Sequence, residues 1–311
     1  MTEYSDERLA VKYHELAVLN QFRDAIHFGD SQSFIRLVNL MGNDKSIADA
    51  ARVSYQNGTK KVSDDAALLR ILFRHRHSSP FEMCEIKFHL HIPIYVMRQL
   101  VRHRTANINE ESARYSVVKD EFEFVESDGW RTQSSSNKQG SEGLLVDTDL
   151  DMAANFTERS HKIVKEAYEF YEELIAAGVA REQARKILFV GNYTSLYWKM
   201  DARNLFHFLS LRMDSHAQLE IRQLADAIFE IVKVWLPISS QAFLDYQYGA
   251  KTFSSMELKV LEKMISRSIV LDAEFVKQFA PTMGKREINE FISFWNSRLE
   301  LAKSETPTEM T

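Results

Sequence analysis

The stretch from Gln99 to Ser116, QLVRHRTANINEESARYS, gathers several kinds of hydrogen-bonding chemistry into eighteen consecutive positions. Arg102, Arg104 and Arg114 bring planar guanidinium groups, His103 an imidazole, Glu110 and Glu111 carboxylates, and Asn109 and Ser112 neutral donors and acceptors. A guanidinium can grip a phosphate through two parallel N–H bonds. Neutral groups such as Gln99 and Ser112 can instead read a uracil-like base edge. The mixture suits a ligand that carries a phosphate, a sugar and a base.

Those side chains need a scaffold. Pro93 suits the first turn of a helix on which Ile94, Met97, Leu100 and Val101 form an apolar stripe. Gln99, Arg102 and His103 fall at i, i+3 and i+4 and share the opposite face. Cations at a helix C-terminus also complement the macrodipole by about 0.3–1 kcal/mol each, so the helix end alone names no ligand. The polar loop from Asn109 to Arg114 directly behind it is what points to a nucleotide.

The single cysteine, Cys84, excludes an internal disulfide and a multi-cysteine metal site. It opens a run in which Cys84, Ile86, Phe88, Leu90 and Ile92 alternate with Glu85, Lys87, His89 and His91, the period of a half-buried strand. On that apolar face desolvation disfavours the thiolate, and we expect a buried, inert thiol. His75 with His77, and His89 with His91, stand two residues apart, but no carboxylate or cysteine accompanies them at ligand spacing. No metal is expected.

Residues 33–40 read as a strand, 46–55 as a short helix, and 64–75 as a helix with Leu68, Leu69, Leu72 and Phe73 on one face. Ser78-Ser79-Pro80 breaks the chain before the Cys84 strand. A Ser, Gly, Gln and Asn-rich stretch from Ser127 to Gly143 reads as a flexible surface insertion without function. Helices follow over 149–177 and 181–189, then a β-prone stretch over 193–198. Asp201 caps a helix running to Arg212, and Ser215 with Gln218 forms the capping-box pattern for the next one. The expected fold is α+β, a mixed or antiparallel central sheet packed with several long helices. It comprises an N-terminal helical extension over 1–30, a main domain over 31–248 with the insertion at about 127–148, and a C-terminal extension over 249–311 whose last polar residues fray.

The chain has 311 residues, 45% hydrophobic and 27% charged, enough for a large core. Its formal charge of −5 argues against a general nucleic-acid binder. No apolar run approaches the length of a membrane span, and the charged first twenty residues do not read as a signal peptide. A cytoplasmic protein is expected. A nucleotide sensor without chemistry would carry the same anion site.

Arg102-His103-Arg104, seven residues, then Ser112 resembles the signature of the flavin-dependent thymidylate synthases, extended by Asn109, Glu110, Arg114, Tyr115 and Ser116. His77-Ser78-Ser79-Pro80-Phe81-Glu82 upstream and Leu211-Arg212-Met213-Asp214-Ser215-His216-Ala217-Gln218 downstream resemble the same family. So do Met41-Gly42-Asn43-Asp44 and Ala51-Arg52-Val53-Ser54. The resemblance covers about Phe34 to Tyr248. It implies reductive methylation of dUMP to dTMP in dTMP biosynthesis. Methylenetetrahydrofolate would give the carbon and NADPH-reduced FAD the hydride, in a homotetramer with shared active sites.

By position the resemblance implies that Gln99, Arg102, Glu110, Glu111, Ser112, Ala113, Arg114, Arg185 and Arg212 bind dUMP. Ser79, Arg102, His103, Arg104 and Glu110, with Asp201, Arg203 and His207 in a second segment, would bind FAD. Arg212 would be catalytic, favouring ionisation of the uracil ring at N3 without a cysteine adduct. Met83, Asp201 and His207 depart from the family's usual residues. A carboxylate beside a flavin phosphate is unfavourable, which favours Arg203 over Asp201 as the direct contact.

Overall fold

The structure is a computed structural model and describes residues 2–30, 32–53, 64–135, 138, 140–264, 272–281 and 283–304. A helix α1 (Thr2–Gln21) leads into strands β1 (Ile26–His27) and β2 (Phe34–Met41), then helices α2 (Asp44–Val53) and α3 (Asp65–Arg74). A single 3-10 turn (Ser79–Met83) carries Pro80 and delivers the chain to β3 (Glu85–Pro93) and helix α4 (Ile94–Leu100). Strand β4 (Asn107–Glu110), a hairpin of β5 (Arg131–Gln133) and β6 (Ser141–Leu144), and the long helix α5 (Leu150–Ala176) follow. Next come α6 (Arg181–Ala184), β7 (Tyr193–Asp201), α7 (Ala202–Arg212), α8 (Leu219–Trp235) and α9 (Pro237–Phe243). Helices α10 (Ser255–Met264), α11 (Ala273–Phe279) and α12 (Lys285–Ser304) complete the described chain.

Five strands form one antiparallel sheet in the order β1-β2-β3-β7-β4. Side chains alternate across each strand, so Ile86, Phe88, Leu90 and Ile92 of β3 and Leu196, Trp198 and Met200 of β7 lie on one face. That face packs against α7 and α8, which add Leu205, Phe208, Leu224, Ile228 and Trp235 to the same core. Each such side chain, fully buried, contributes roughly 1.5–3 kcal/mol. The other face carries Arg36, Glu85, Lys87, His89, Tyr197 and Lys199, paired across strands as Arg36 with His89 (2.7 Å) and Lys199 with Glu85 (2.9 Å).

The turn after β2 is tied at one crowded point. Gly42 has φ +82, and a Cβ there would meet the Cys84 sulfur at 2.5 Å, so only glycine fits. Its N–H donates to Glu15 of α1 (2.6 Å), and its carbonyl accepts from the Trp235 indole of α8 (2.7 Å). Asp44, at the start of α2, accepts from the N–H groups of Ile238 and Ser239 and from the Ser239 hydroxyl, supplying the partners that the first turn of α9 lacks.

An α+β fold is what the sequence pattern predicts, and the structure has it. Asp201 caps α7 as expected, accepting from Asn204 N (2.9 Å), and Asp149 likewise caps α5, accepting from Met152 N (2.8 Å). Several local expectations are corrected. Asn107 to Glu110 is a strand instead of loop, because the outer edge of β7 offers unpaired backbone groups that it satisfies. Helix α4 stops at Leu100, and Arg102 and His103 sit in a tight turn whose N–H groups donate to Gln99 and Leu100 carbonyls (3.3 and 3.0 Å). The helix expected over 181–189 ends at Ala184 in a 3-10 turn. Ser215 does not cap α8: Asp214 takes the His216 N–H (2.8 Å), and Gln218 stands at the cap position without a side-chain bond to the helix's own N–H groups.

The stretch read as a flexible surface insertion carries, among its described residues, the paired strands β5 and β6. It is held to the body by Arg131 on Glu220 (2.5 Å) and flanked by the Trp130 indole donating to Thr157 (2.9 Å). Residues 54 and 55 of the expected 46–55 helix, with the tail after 304, lie outside the described residues.

Candidate active site

Helix α7 carries the first part of the site because its apolar residues Leu205, Phe206, Phe208 and Leu209 are buried. Arg203 and His207, at i and i+4, are left exposed on its outer side, while Arg212, half-buried, lies about half a turn around the helix from Arg203. Arg212 closes the helix and donates from Nε to Nε2 of His103 (3.0 Å) and from Nη2 to the Gln99 carbonyl (3.5 Å). An acceptor at Nε2 is a neutral ring with its proton on Nδ1. Burial, then the neighbouring Arg212 and His207, push the His103 pKa down from 6.5 to about 4. The ring stays neutral at pH 7 and fixes the guanidinium without repelling it. Burial also lowers the pKa of Arg212, though a guanidinium remains charged.

His103 stands edge-on to Phe208 (4.9 Å between centroids), and Phe208 stands against Trp198 of the sheet (5.0 Å). His207 lies next to it (6.3 Å between centroids) and lines a cleft of about 640 Å³ between α3, α7 and the segment after α9. Phe73, Phe81 and Phe206 form an apolar wall, while the guanidinium groups of Arg74, Arg76 and Arg203 give it a cationic lining and His77 and His207 add imidazoles. Size and lining suit a cofactor with an aromatic ring system and phosphates. Of the expected cofactor residues, Arg203 and His207 line this cleft; Ser79 lies one residue past its lining residue Ser78. Arg203 pairs with Glu82 (3.5 Å). Asp201 accepts from the Asn204 N–H and amide with its two oxygens (2.9 and 2.6 Å), so its carboxylate serves the cap of α7.

Strand β4 forms the second part. Its pairing with β7 puts Ile108 and Glu110 on the face of Trp198 and Leu196, and Glu110 accepts from the Thr194 hydroxyl (2.8 Å). Glu111 continues beyond the strand, its N–H donating to the Ser195 carbonyl and its carboxylate accepting from the Ser195 N–H (2.9 Å each). Ser112 accepts at its hydroxyl from the Arg114 N–H (3.4 Å), with Ala113 half-buried between them. Among the described residues, the exposed side chains of Arg102, Arg104 and Arg185 make no hydrogen bond or ion pair, and Arg114 lies over the Tyr115 ring (5.4 Å). Gln99 is held through its amide by Gln218 (2.6 Å).

The sequence profile of the family described as Thymidylate synthase complementing protein matches residues 36–238. A flavin-dependent thymidylate synthase of Ehrlichia ruminantium is 47% identical over 261 residues, covering 84% of this chain and 85% of its own. The chain belongs to the flavin-dependent thymidylate synthase family. A relative of that name from Thermus thermophilus is 48% identical, covering 76% of this chain and 85% of its own. Among solved structures, the UMP/dUMP methylase PolB of Streptomyces cacaoi, bound with 5-Br UMP, has a TM-score of 0.63 at 32% identity, covering 70% of this chain and 96% of that one.

Within this family chain, Gln99, His103 and Arg212 come together, as do Arg203 and His207, whereas Arg185 stands on the separate turn after α6. Cys84 is fully buried, its thiol on the Asn43 carbonyl (3.6 Å) and pushed up to about 12 by burial, as its place on the apolar face predicts. Sequence reading missed Arg74, Arg76 and Tyr246 of the cleft. Tyr246 lies about 170 residues from the others, beyond the reach of any local pattern. Among the described residues no group of three or more His, Cys, Asp or Glu is placed to hold a metal, and no helix is long and apolar enough to cross a membrane.

Proposed function

We propose that this chain is a thymidylate synthase that methylates dUMP to dTMP, with methylenetetrahydrofolate as carbon donor and NADPH-reduced FAD as reductant. The observation that carries the reading is the fixing of Arg212 by a neutral imidazole and a backbone carbonyl. A guanidinium held in place before negative charge develops on a pyrimidine ring stabilises that charge without reorganising, most strongly where water is excluded. Bound FAD would supply the reducing equivalents that complete the methyl group. The chain's own residues do the rest: Arg203 and His207 hold the cofactor in the cleft, and Arg102, Arg104, Arg114 and Arg185 take the phosphates. Gln99, Glu110, Glu111, Ser112 and Ala113 line the nucleotide. A buried Cys84 with its thiol protonated supports chemistry that needs no cysteine adduct.

The same proposal places the enzyme in the cytoplasm as a homotetramer. Supporting it, α5 runs for 27 residues with only Ala153 and Tyr171 buried and leaves Phe156, Ile163 and Phe170 exposed seven residues apart, an apolar stripe that a second copy can cover. The experiment is Arg212→Ala, assayed for dTMP formation and for flavin content. Turnover should fall by about 10²–10³-fold, the usual cost of one donor to a developing anion, with flavin still bound. Normal turnover by the variant, or no flavin bound by the unaltered protein, refutes the proposal.

A further inference from the structure

Two helices of this chain end in the same hydrogen-bonded turn with different residues at its critical position. At the end of α5, Gly178 N–H donates to Ile175 O (3.0 Å) and Val179 N–H to Leu174 O (2.9 Å). At the end of α3, Arg76 N–H donates to Phe73 O (3.1 Å) and His77 N–H to Leu72 O (2.8 Å). This is the Schellman arrangement, whose central residue must take a left-handed backbone. Gly178 does so at φ +80 without a side-chain penalty; Arg76 does so at φ +58 and is the only non-glycine residue at positive φ among those described. The backbone of the α3 turn would favour glycine, so the side chain must account for the arginine.

That side chain lines the cleft. The other two guanidinium groups there have acidic partners, Arg74 with Glu290 (3.4 Å) and Arg203 with Glu82 (3.5 Å). Arg76 is exposed and has no ion pair among the described residues. An unpaired guanidinium on a strained backbone, lining a cleft with aromatic walls, suits an anion that the aromatic part of the same ligand brings with it.

We infer that Arg76 binds the phosphate portion of the flavin nucleotide in this cleft. The inference rests on the function proposed above and adds a ligand residue outside the motifs that suggested it.

The test is Arg76→Gly in the full chain. Relieving the left-handed strain should leave the ligand-free melting temperature unchanged or raise it by a few degrees. The same change should weaken FAD about 10- to 100-fold, the value of a charged hydrogen bond to phosphate, and leave riboflavin, which has no phosphate, within about two-fold. Arg76→Lys should keep part of the FAD affinity. Opposite signs for stability and affinity are not what a merely structural arginine would give. FAD bound as tightly by Arg76→Gly as by the unaltered chain overturns the inference. So does equal weakening of FAD and riboflavin, or weakening of dUMP alone.

If the unaltered chain takes up no flavin, it is the proposed function that fails. Inorganic pyrophosphate then still reads Arg76: a thermal shift present in the unaltered chain and lost in Arg76→Gly supports an anion site, and equal shifts overturn it.

Discussion

Protonating His103 should loosen both the fold and the site, and the size of the effect follows from its surroundings. The ring is half-buried, accepts the Arg212 Nε–H and has Arg212 and His207 as neighbours, which together hold its pKa at about 4 against an ordinary 6.5. The folded chain therefore binds fewer protons at this ring than the unfolded chain between those values. Its stability is full above pH 6.5 and declines as the pH falls toward 4. At pH 5 the two values correspond to roughly 2 kcal/mol, and partial exposure to solvent brings this to about 1 kcal/mol. The measurement is urea unfolding at pH 8 and pH 5 for the unaltered chain and for His103→Gln. The glutamine can accept the Arg212 N–H but does not titrate. All other titrating groups are common to both proteins, so the unaltered chain should lose about 1 kcal/mol more than the variant over this interval. Equal losses would refute the neutral, depressed-pKa imidazole and with it the account of how Arg212 is fixed.

Two further outcomes are expected. Cys84→Ala should keep turnover within about two-fold, and the native thiol should resist alkylation, because a fully buried sulfur pushed to about 12 offers no thiolate; lost turnover in a folded variant would reopen nucleophilic catalysis. Glu287→Ala should destabilise the chain by about 3–5 kcal/mol in denaturant unfolding. The buried Glu287 carboxylate of α12 accepts the Tyr246 O–H and faces Arg70 (3.6 Å), and its loss leaves both without that partner. An unchanged midpoint would mean that α12 does not dock on α3.

What could be read in advance was what local pattern dictates. The alternation from Cys84 to Ile92 placed β3 and its buried face, and aspartates at 149 and 201 marked two helix starts that do carry side-chain caps. Strand β4 escaped because Asn-Ile-Asn-Glu has little intrinsic β preference; it is a strand only because β7 presents it an open edge. The β5–β6 hairpin was hidden for a related reason, its Ser and Gly content resembling a linker while Arg131 and Trp130 tie it to distant residues. Arg212 and His103 were nominated separately, by two motifs more than a hundred residues apart, and only the folded chain reveals that one holds the other.

The same separation explains why the cationic residues found from sequence are so exposed. An arginine without an acidic partner keeps its charge free for an anionic ligand, and Arg102, Arg104 and Arg185 have no acidic partner among the described residues. Arg212 differs: it is partly buried and its donors are already directed by His103 and Gln99. On the proposed function, the first group of arginines is suited to capture and Arg212 to stabilising charge during reaction. The second role gains most when water is displaced. With every residue of β4 exposed in the single chain, that displacement has to come from bound ligands or from a neighbouring copy laid against this edge. On the proposed reading, completing the site and excluding water from it are one event.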